Sequence, residues 1–152
     1  MNKILPDNSF AYSNKERVFR ILLSLLILCI GGLIYIAYRQ DTLILFSWGR
    51  SLGLSQNIES LREFAQNKGV YGWVKNSLPD GLWLFSYMFI IDSIWNGIKS
   101  KTFYIFLYSL PFIAIGSEIL QYFGIVPGCF DWIDILSYTF AICLYWLIKL
   151  IK

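Results

Sequence analysis

The run from Ile21 to Tyr38 carries no charged side chain and is almost wholly apolar, and no other feature constrains the fold as strongly. At about 1.5 Å of rise per residue, a helix of this length can cross a hydrocarbon layer of roughly 30 Å. The run is longer than the apolar region of an ordinary signal peptide, and no A-x-A cleavage pattern follows it. We therefore predict a retained first membrane helix at about 21–38.

Three further apolar runs predict membrane helices at about 82–98, 102–125 and 133–148. Of the 152 residues, 57% are hydrophobic and only 15% are charged. A soluble domain has about 25% charged residues, so this composition is typical of an integral membrane protein. The sequence predicts an all-α, integral membrane four-helix bundle that forms a single membrane domain over residues 1–152.

The connection between the first two predicted spans contains an amphipathic segment at about 42–67. We expect Ser55 to cap a helix from Gln56 to about Asn67. Four apolar residues of this helix recur at helical spacing and predict one apolar face: Ile58, Leu61, Phe64 and Ala65. Glu59, and either Arg62 or Glu63, are expected towards the opposite face. A segment of this kind is predicted to lie on the membrane surface rather than to cross it.

The distribution of basic residues predicts the orientation. Lysine and arginine in the five segments outside the spans number four, five, two, none and two, in chain order. The positive-inside rule then favours a cytoplasmic position for both termini and for the connection with Lys99 and Lys101. The first connection, with five basic residues, disagrees, but long connections follow the rule less strictly. We predict a multi-pass protein with cytoplasmic termini and an extracytoplasmic amphipathic segment.

The residue types that are missing exclude several classes of site. The chain contains no histidine, which is the commonest general base and metal ligand. Cys29, Cys129 and Cys143 are far apart and form no CxxC pair, so we expect neither a zinc site nor a disulfide framework. The basic residues are spread along the chain, which argues against nucleic acid as a partner. We predict no cofactor and no metal site, although paired carboxylates leave a bound divalent cation open.

Five polar residues near the predicted outer ends of three helices form the candidate ligand-binding site: Asp80, Glu118, Gln121, Asp131 and Asp134. An ionisable side chain within lipid is costly unless it faces protein, water or a ligand, so such residues point to function. Glu118 and Gln121 are three residues apart and share one helix face. In the predicted orientation all five residues converge on the outer leaflet.

Each of these residues also has a structural interpretation. Glu118 and Gln121 can make an interhelical hydrogen bond that fixes packing. Asp131 and Asp134 can cap the last helix, and Asp80 can cap the second. The binding interpretation is an acidic pocket for a lipid headgroup or a lipid-linked sugar. The catalytic interpretation makes Glu118 or Asp134 the reactive carboxylate, with Glu118 as a general base whose pKa burial has raised.

Several short motifs resemble those of the VanZ-like family of small bacterial membrane proteins. The family carries a glutamate–two residues–glutamine step, then a proline-glycine-arginine turn, then an aspartate early in the next helix. The matching residues are Glu118-Ile-Leu-Gln121, Pro127-Gly128 and Asp131-Trp-Ile-Asp134. Leu78-Pro79-Asp80, followed by an aromatic apolar helix, resembles the family's first motif. The resemblance covers roughly Asn76–Ile148.

The sequence departs from that pattern at four positions. Cys129 stands where the family usually has arginine, Tyr138 where it has asparagine, and Ala141 where it has glycine. The histidine of the first motif has no counterpart.

The resemblance implies a place in the bacterial cytoplasmic (inner) membrane, an association with the cell envelope and, for the family's namesake, resistance to the glycopeptide teicoplanin. It favours a protein that binds a lipid or lipid-linked envelope component in an outer-leaflet acidic pocket. Two alternatives stay open. One is a membrane enzyme acting on a lipid substrate, and the other is a non-catalytic subunit that docks on a membrane-protein partner.

Overall fold

The computed structural model describes residues 11–39, 44–67 and 69–151, and within these ranges every regular element is a helix. The prediction of an all-α chain is therefore confirmed for the described residues. The first residues of the predicted surface segment, 42 and 43, and the N-terminal residues 1–10 lie outside them. The helices are α1 (Asn14–Tyr38), α2 (Ile44–Ser51), α3 (Ser55–Gln66), α4 (Gly72–Asn76), α5 (Leu78–Trp95), α6 (Lys101–Tyr122) and α7 (Trp132–Leu150).

Three of the described helices, α1, α6 and α7, are long and apolar enough to cross a membrane. They correspond to the predicted first, third and fourth spans, and they give the chain the character of a membrane protein. Helix α5 corresponds to the predicted second span but does not belong to this group. It carries Asp80 and Asp92 among its apolar residues, and these carboxylates lower its hydropathy.

Helix α5 lies at the centre of the fold. It packs most extensively on α1 and α7, and it also contacts α6. Leu84 and Met88 of α5 have almost no exposed surface. The surrounding helices instead expose large apolar side chains, of which Phe112 and Phe140 are 80% and 69% exposed. A buried central helix within an apolar exterior is the arrangement expected of a domain whose solvent is lipid.

The ends of the helices show the direction in which each one runs. Asp92, near the end of α5, pairs with Arg20 near the start of α1 and with Lys149 near the end of α7. Helix α1 therefore runs antiparallel to α5, and α7 runs parallel to it. The start of α1 and the end of α7 consequently lie together, at what we call the Asp92 end.

Helix α6 runs antiparallel to α5. Trp95, the last residue of α5, packs against Phe103 and Phe106 in the first two turns of α6. Near the other end of α6, the charge of Glu118 acts on Asp80 in the first turn of α5. This opposite pole is called the Glu118 end, and it lies about 18 Å from Asp92 along α5.

Helices α2 and α3 form a hairpin that packs on α1 through α3. Phe46 is buried, and the guanidinium of Arg62 lies 5.1 Å from the centre of its ring. Arg62 also donates to the carbonyls of Ile36 at 3.3 Å and Arg39 at 2.6 Å. The alternative that places Arg62 on the opposite face is wrong, because Arg62 satisfies carbonyls at the end of α1, whereas Glu63 is exposed. Phe64, on the predicted apolar face, is 63% exposed.

Helix caps explain why several helix ends differ from the predicted ones. Helix α1 starts earlier than predicted because Ser13 and Glu16 form a capping box. Helix α5 ends before Asn96, which adopts a left-handed conformation with φ of 48°. Leu54 occupies the N-cap position of α3 and makes no side-chain cap, so the prediction that Ser55 is the cap is wrong.

Candidate functional site

Glu118 links α6 to the start of α7. The side chain is buried, and its Oε2 accepts a hydrogen bond from the main-chain N–H of Asp131 at 3.3 Å. Asp131 is the N-cap of α7, where its Oδ1 accepts from the N–H of Ile133 at 2.8 Å. The capping interpretation of Asp131 is therefore confirmed. Glu118 holds the α6–α7 connection against the bundle.

Gln121 packs on the same connection. It lies one turn after Glu118, and its amide group touches the backbone of Gly128. A Cβ added at position 128 would lie only 2.6 Å from Cδ of Gln121, and Gly128 has a φ of 146°. Both observations require glycine at this position. Gln121 thus contacts the Pro-Gly turn.

Carboxylates from three helices share one electrostatic environment at the Glu118 end. The charges of Glu118 and Asp134 act on Asp80, and all three act on the hydroxyl of Tyr138. Arg39, which follows α1, lies opposite them with Nη2 3.8 Å from Oδ2 of Asp80. The structure therefore brings together Asp80, Glu118 and Asp134, and it adds a guanidinium that the sequence analysis did not place there.

Neither Asp80 nor Asp134 caps a helix. Each lies in the first turn of its helix, and the cap positions belong to Ser77 and Asp131. A negative charge in the first turn faces the positive end of the helix dipole, which stabilises it without a capping hydrogen bond. The capping interpretation is therefore wrong for Asp80 and Asp134, and their carboxylates face the shared environment instead.

Four buried side-chain atoms lack a hydrogen-bond partner among the described residues: Arg39 Nε, Ser77 Oγ, Trp83 Nε1 and Asp134 Oδ1. A buried polar atom without a partner is costly and uncommon in folded proteins. Two of these atoms are N–H donors, one is a carboxylate acceptor and one is a hydroxyl. All four belong to residues at the Glu118 end, so this end has an unused capacity for hydrogen bonding.

Two packed aromatic rings, Trp83 and Tyr35, form what we call the aromatic wall of the Glu118 end. The ring centres of Trp83 on α5 and Tyr35 on α1 are 5.1 Å apart, and Arg39 lies 5.3 Å from the Tyr35 ring. Gly31 permits this contact, since a Cβ there would lie 2.8 Å from Trp83 Nε1. The wall therefore depends on a close approach of α1 to α5.

A second close approach positions α7 against α5. Ser137 donates through its hydroxyl to the carbonyl of Ser77 at 2.7 Å. A Cβ added at Gly81 would collide with the hydroxyl of Ser137 and lie 3.2 Å from its carbonyl oxygen. This contact fixes where Asp134, one turn earlier on α7, lies relative to Asp80.

The described residues contain no group of three or more histidine, cysteine, aspartate or glutamate side chains arranged to hold a metal ion. All three cysteines are free and exposed. Cys129 directly follows Gly128 in the α6–α7 connection, at the Glu118 end.

The polar cluster at the Asp92 end has a different character, because its groups are paired. Asp92 is 1% exposed, and its Oδ2 accepts from Tyr12 Oη at 2.7 Å and from Arg20 Nη2 at 3.0 Å. Its Oδ1 pairs with Nζ of Lys149, and Oδ1 of Asn96 accepts from the Tyr12 N–H at 2.8 Å. Asp92 and Asn96 thus make packing contacts in a polar patch that is separate from the Glu118 end.

Arg20 is enclosed by aromatic rings. Its guanidinium carbon lies 3.8 Å from the centre of the Phe89 ring and 4.1 Å from that of Tyr12, which favours a buried cation. Burial, followed by the hydrogen bond to Asp92, raises the pKa of Tyr12 above its ordinary value. Tyr12 therefore keeps its proton and remains a donor. The contacts of the Asp92 end explain packing, and none of the unpartnered buried side-chain atoms of the described residues lies there.

Sequence reasoning left three residues of the Glu118 end out of the candidate site: Arg39, Ser77 and Trp83. Ser77 and Trp83 each lie three residues from Asp80 and so share its helix face, which was a usable signal. Arg39 follows the first apolar run directly, but nothing in its spacing connects it with Asp80, because that contact depends on how α1 and α5 pack.

The chain matches no family model, no curated protein and no solved structure. The resemblance to the VanZ-like family therefore stays a prediction that rests on the motifs quoted above.

Proposed function

We propose that this chain is a VanZ-like membrane protein of the bacterial cell envelope, and that it binds the head of a lipid or lipid-linked envelope component at the Glu118 end. The strongest support is the set of four unpartnered polar atoms on Arg39, Ser77, Trp83 and Asp134. A polar head bound there would satisfy donors and acceptors that the protein leaves unpaired. An apolar tail would remain among the exposed apolar side chains of the bundle.

In this proposal α5 is the fourth membrane-crossing helix. Its 18 residues would extend about 27 Å, close to the thickness of a hydrocarbon core. Its central position lets Asp92 find charged partners inside the protein, which removes much of the cost of an ionised group in the membrane. The helix directions alternate, and in the proposed orientation both termini lie on the cytoplasmic side of the inner membrane and the Glu118 end lies in the outer leaflet.

The α2–α3 hairpin fits the outer surface of that membrane. Trp48, Leu52 and Phe64 are 63%, 74% and 63% exposed, and they offer apolar surface to the interfacial region. The hairpin also packs on the end of α1 that carries Arg39. A surface hairpin in this position would border the entrance to the proposed site.

Binding is favoured over catalysis by the engagement of Glu118. Its carboxylate accepts a main-chain hydrogen bond and holds the α6–α7 connection, so it positions the site. Asp134 keeps an unpartnered oxygen and is the better candidate to contact a ligand. The resemblance to the VanZ-like family would connect this binding with teicoplanin resistance.

The test is the lipid content of the purified protein. The full chain is expressed in bacteria, extracted gently, and its retained lipids are identified by native mass spectrometry. We expect the wild-type protein to retain a lipid and Glu118→Gln, which removes the charge and keeps the volume, to retain much less. Glu63→Gln, on the exposed side of α3, makes the same chemical change away from the site and should retain wild-type amounts.

Two results would contradict the proposal. One is a wild-type protein that retains no lipid under conditions where it stays folded. The other is a Glu118→Gln variant with wild-type melting behaviour and wild-type lipid content. Teicoplanin susceptibility of cells expressing the same three proteins gives an independent readout, in which the Glu118→Gln variant should confer less protection than the other two.

A further inference from the structure

The charges at the Glu118 end are unbalanced. Asp80, Glu118 and Asp134 supply three carboxylates that act on one another, and Arg39 is the basic group that acts on Asp80 within the described chain. The Arg39–Asp80 pair is long, at 3.8 Å, and the Arg39 side chain is 36% exposed. Asp131 adds a fourth carboxyl group that acts on Glu118, so acidic groups are in excess over the Arg39 guanidinium. A ligand with a positively charged group would reduce the cost of that excess.

The unpartnered atoms specify the kind of positive group. Asp134 Oδ1 is a buried acceptor, and it needs a donor such as an N–H or O–H group. A primary ammonium has three donors in a tetrahedral arrangement, so it can bridge carboxylates that come from different helices. These hydrogen bonds would be charge-assisted and therefore stronger than bonds to a neutral hydroxyl.

The remaining unpartnered atoms call for an anionic acceptor. Arg39 Nε and Trp83 Nε1 are buried N–H donors. Asp80 and Trp83 are three residues apart on α5 and share a helix face, and Nε1 of the indole lies on the side that faces Gly31 of α1. A phosphodiester next to an ammonium would place acceptor oxygens at the donors and donor hydrogens at the carboxylates.

The fold also provides a path for a lipid tail. Five residues that are not fully buried form one stripe of α5: Asp80, Trp83, Tyr87, Ile90 and Ile94. At its edges, Trp83 contacts Tyr35 of α1 and Tyr87 donates to the Phe106 carbonyl of α6.

Helices α1 and α6 both pack on α5 but share no extensive contact with each other. The stripe therefore lies between them. It runs from the carboxylates towards apolar side chains, as a lipid runs from head to tail.

From these features we propose that the ligand at the Glu118 end is a phospholipid with a zwitterionic aminoalkyl phosphodiester head, of the phosphatidylethanolamine class, whose acyl chain lies along the α5 stripe. This inference rests on the proposed function and specifies its ligand. The ammonium contacts Asp134 and Asp80. The phosphate accepts hydrogen bonds from Trp83 and Arg39. Ser77 is the fifth residue that binds the head.

The experiment compares lipids that share the same acyl chains. The full-length protein in detergent is titrated with phosphatidylethanolamine, its N-acetyl derivative, phosphatidylglycerol and a neutral glucosyl diacylglycerol. N-acetylation removes the ammonium charge and keeps the phosphate. We expect phosphatidylethanolamine to bind about tenfold more tightly than the N-acetyl derivative, the difference that one charge-assisted hydrogen bond provides. Equal affinity for these two lipids overturns the inference without any variant.

Two variants test the contacts of the ammonium and of the phosphate separately. Asp134→Asn should reduce the affinity for phosphatidylethanolamine about tenfold and leave phosphatidylglycerol unchanged. Trp83→Phe keeps the aromatic ring and removes the N–H, so it should weaken all three phosphate-bearing lipids alike. Glu63→Gln is the matched control and should change nothing. An Asp134→Asn variant that weakens all four lipids equally contradicts the ammonium contact.

The same titration distinguishes failure of this inference from failure of the proposed function. If the glucosyl lipid binds most tightly, and Glu118→Gln weakens it, lipid binding at the Glu118 end stands and the ammonium head is wrong. If no lipid binds in a manner that depends on Glu118, both proposals are wrong.

Discussion

The carboxylate of Asp92 and the guanidinium of Arg20 meet at 3.0 Å between α5 and α1, and both side chains are almost completely buried. Lys149 of α7 pairs with the other oxygen of the same carboxylate. One acidic residue thus joins three helices, and its removal would leave two basic groups without their partner. These ion pairs hold the fold together at the Asp92 end.

Asp92→Asn should destabilise the protein strongly. The change leaves the Arg20 guanidinium buried without a counter-ion, and breaking a buried ion pair in this way costs about 3–5 kcal/mol. Thermal unfolding of the purified protein in detergent measures the loss. Glu63→Gln removes an exposed carboxylate and should leave the melting temperature unchanged. Equal melting temperatures for Asp92→Asn and the wild type would show that the ion pairs contribute little.

Tyr12→Phe tests the hydrogen bond to Asp92 through its dependence on pH. Burial and then the bond to Asp92 raise the folded pKa of Tyr12 above its ordinary value of 10.0. The stability from this bond is therefore fully present below pH 10 and is lost as pH rises through the folded pKa. The variant should lose about 1.5–3 kcal/mol near neutral pH, since the bond is to a charged group.

Measurements at alkaline pH provide the control for Tyr12→Phe, because the hydroxyl then loses its proton in the wild-type protein. The difference in unfolding free energy between Tyr12→Phe and the wild type should shrink as the pH rises from about 10 to about 12. Other tyrosines titrate in both proteins and cancel in this comparison. A difference that is constant over this range would mean that the hydroxyl does not bond to the carboxylate.

Gly81→Ala should push α7 away from α5. The added methyl group would collide with the hydroxyl of Ser137 and crowd its carbonyl oxygen at 3.2 Å, and overpacking of this kind costs about 1–3 kcal/mol. Gly32→Ala on α1 is the matched change, because nothing lies within 4 Å of the new Cβ. It should be neutral or stabilising by about 0.5–1 kcal/mol. Thermal unfolding that ranks these variants in the opposite order would refute the close α5–α7 contact.

Accessible cysteines test the proposed crossing of the membrane by α5 and α6. Cys129 is already exposed in the α6–α7 connection, so Cys29 and Cys143 are first replaced by alanine. In intact spheroplasts an impermeant maleimide should label Cys129. In proteins that also lack Cys129, it should label Gly69→Cys and should not label Lys99→Cys until the membrane is opened. Equal labelling of Gly69→Cys and Lys99→Cys from outside would show that α5 does not cross.

The sequence predicted the helices better than it predicted the contacts between them. The apolar runs predicted α1, α6 and α7, because length and hydropathy are local properties of the chain. The central position of α5 follows from tertiary packing, in which Asp92 is matched by Arg20 and Lys149 from distant parts of the chain. No local pattern in the sequence shows which basic residues pair with Asp92, so these ion pairs could not be predicted.

For the candidate site, the sequence predicted which residues lie together but not what each of them does. Helix direction and i, i+3 spacing were sufficient to expect Asp80, Glu118 and Asp134 at one end, and the structure brings these three together. Their individual roles could not be predicted from spacing. Asp131 is a cap whereas Asp134 is not, and this difference depends on the residue at which α7 begins. The position of Arg39 depends on the packing of α1 against α5.

A structure of the full-length protein in nanodiscs of phosphatidylethanolamine tests the central claim most directly. The account predicts head-group density at the Glu118 end, within hydrogen-bonding distance of Asp134 Oδ1 and Trp83 Nε1, with an acyl chain between α1 and α6 along Tyr87. Lipid density that surrounds the bundle evenly, with no head group at Asp134 and with its Oδ1 bonded to another protein group, would contradict it.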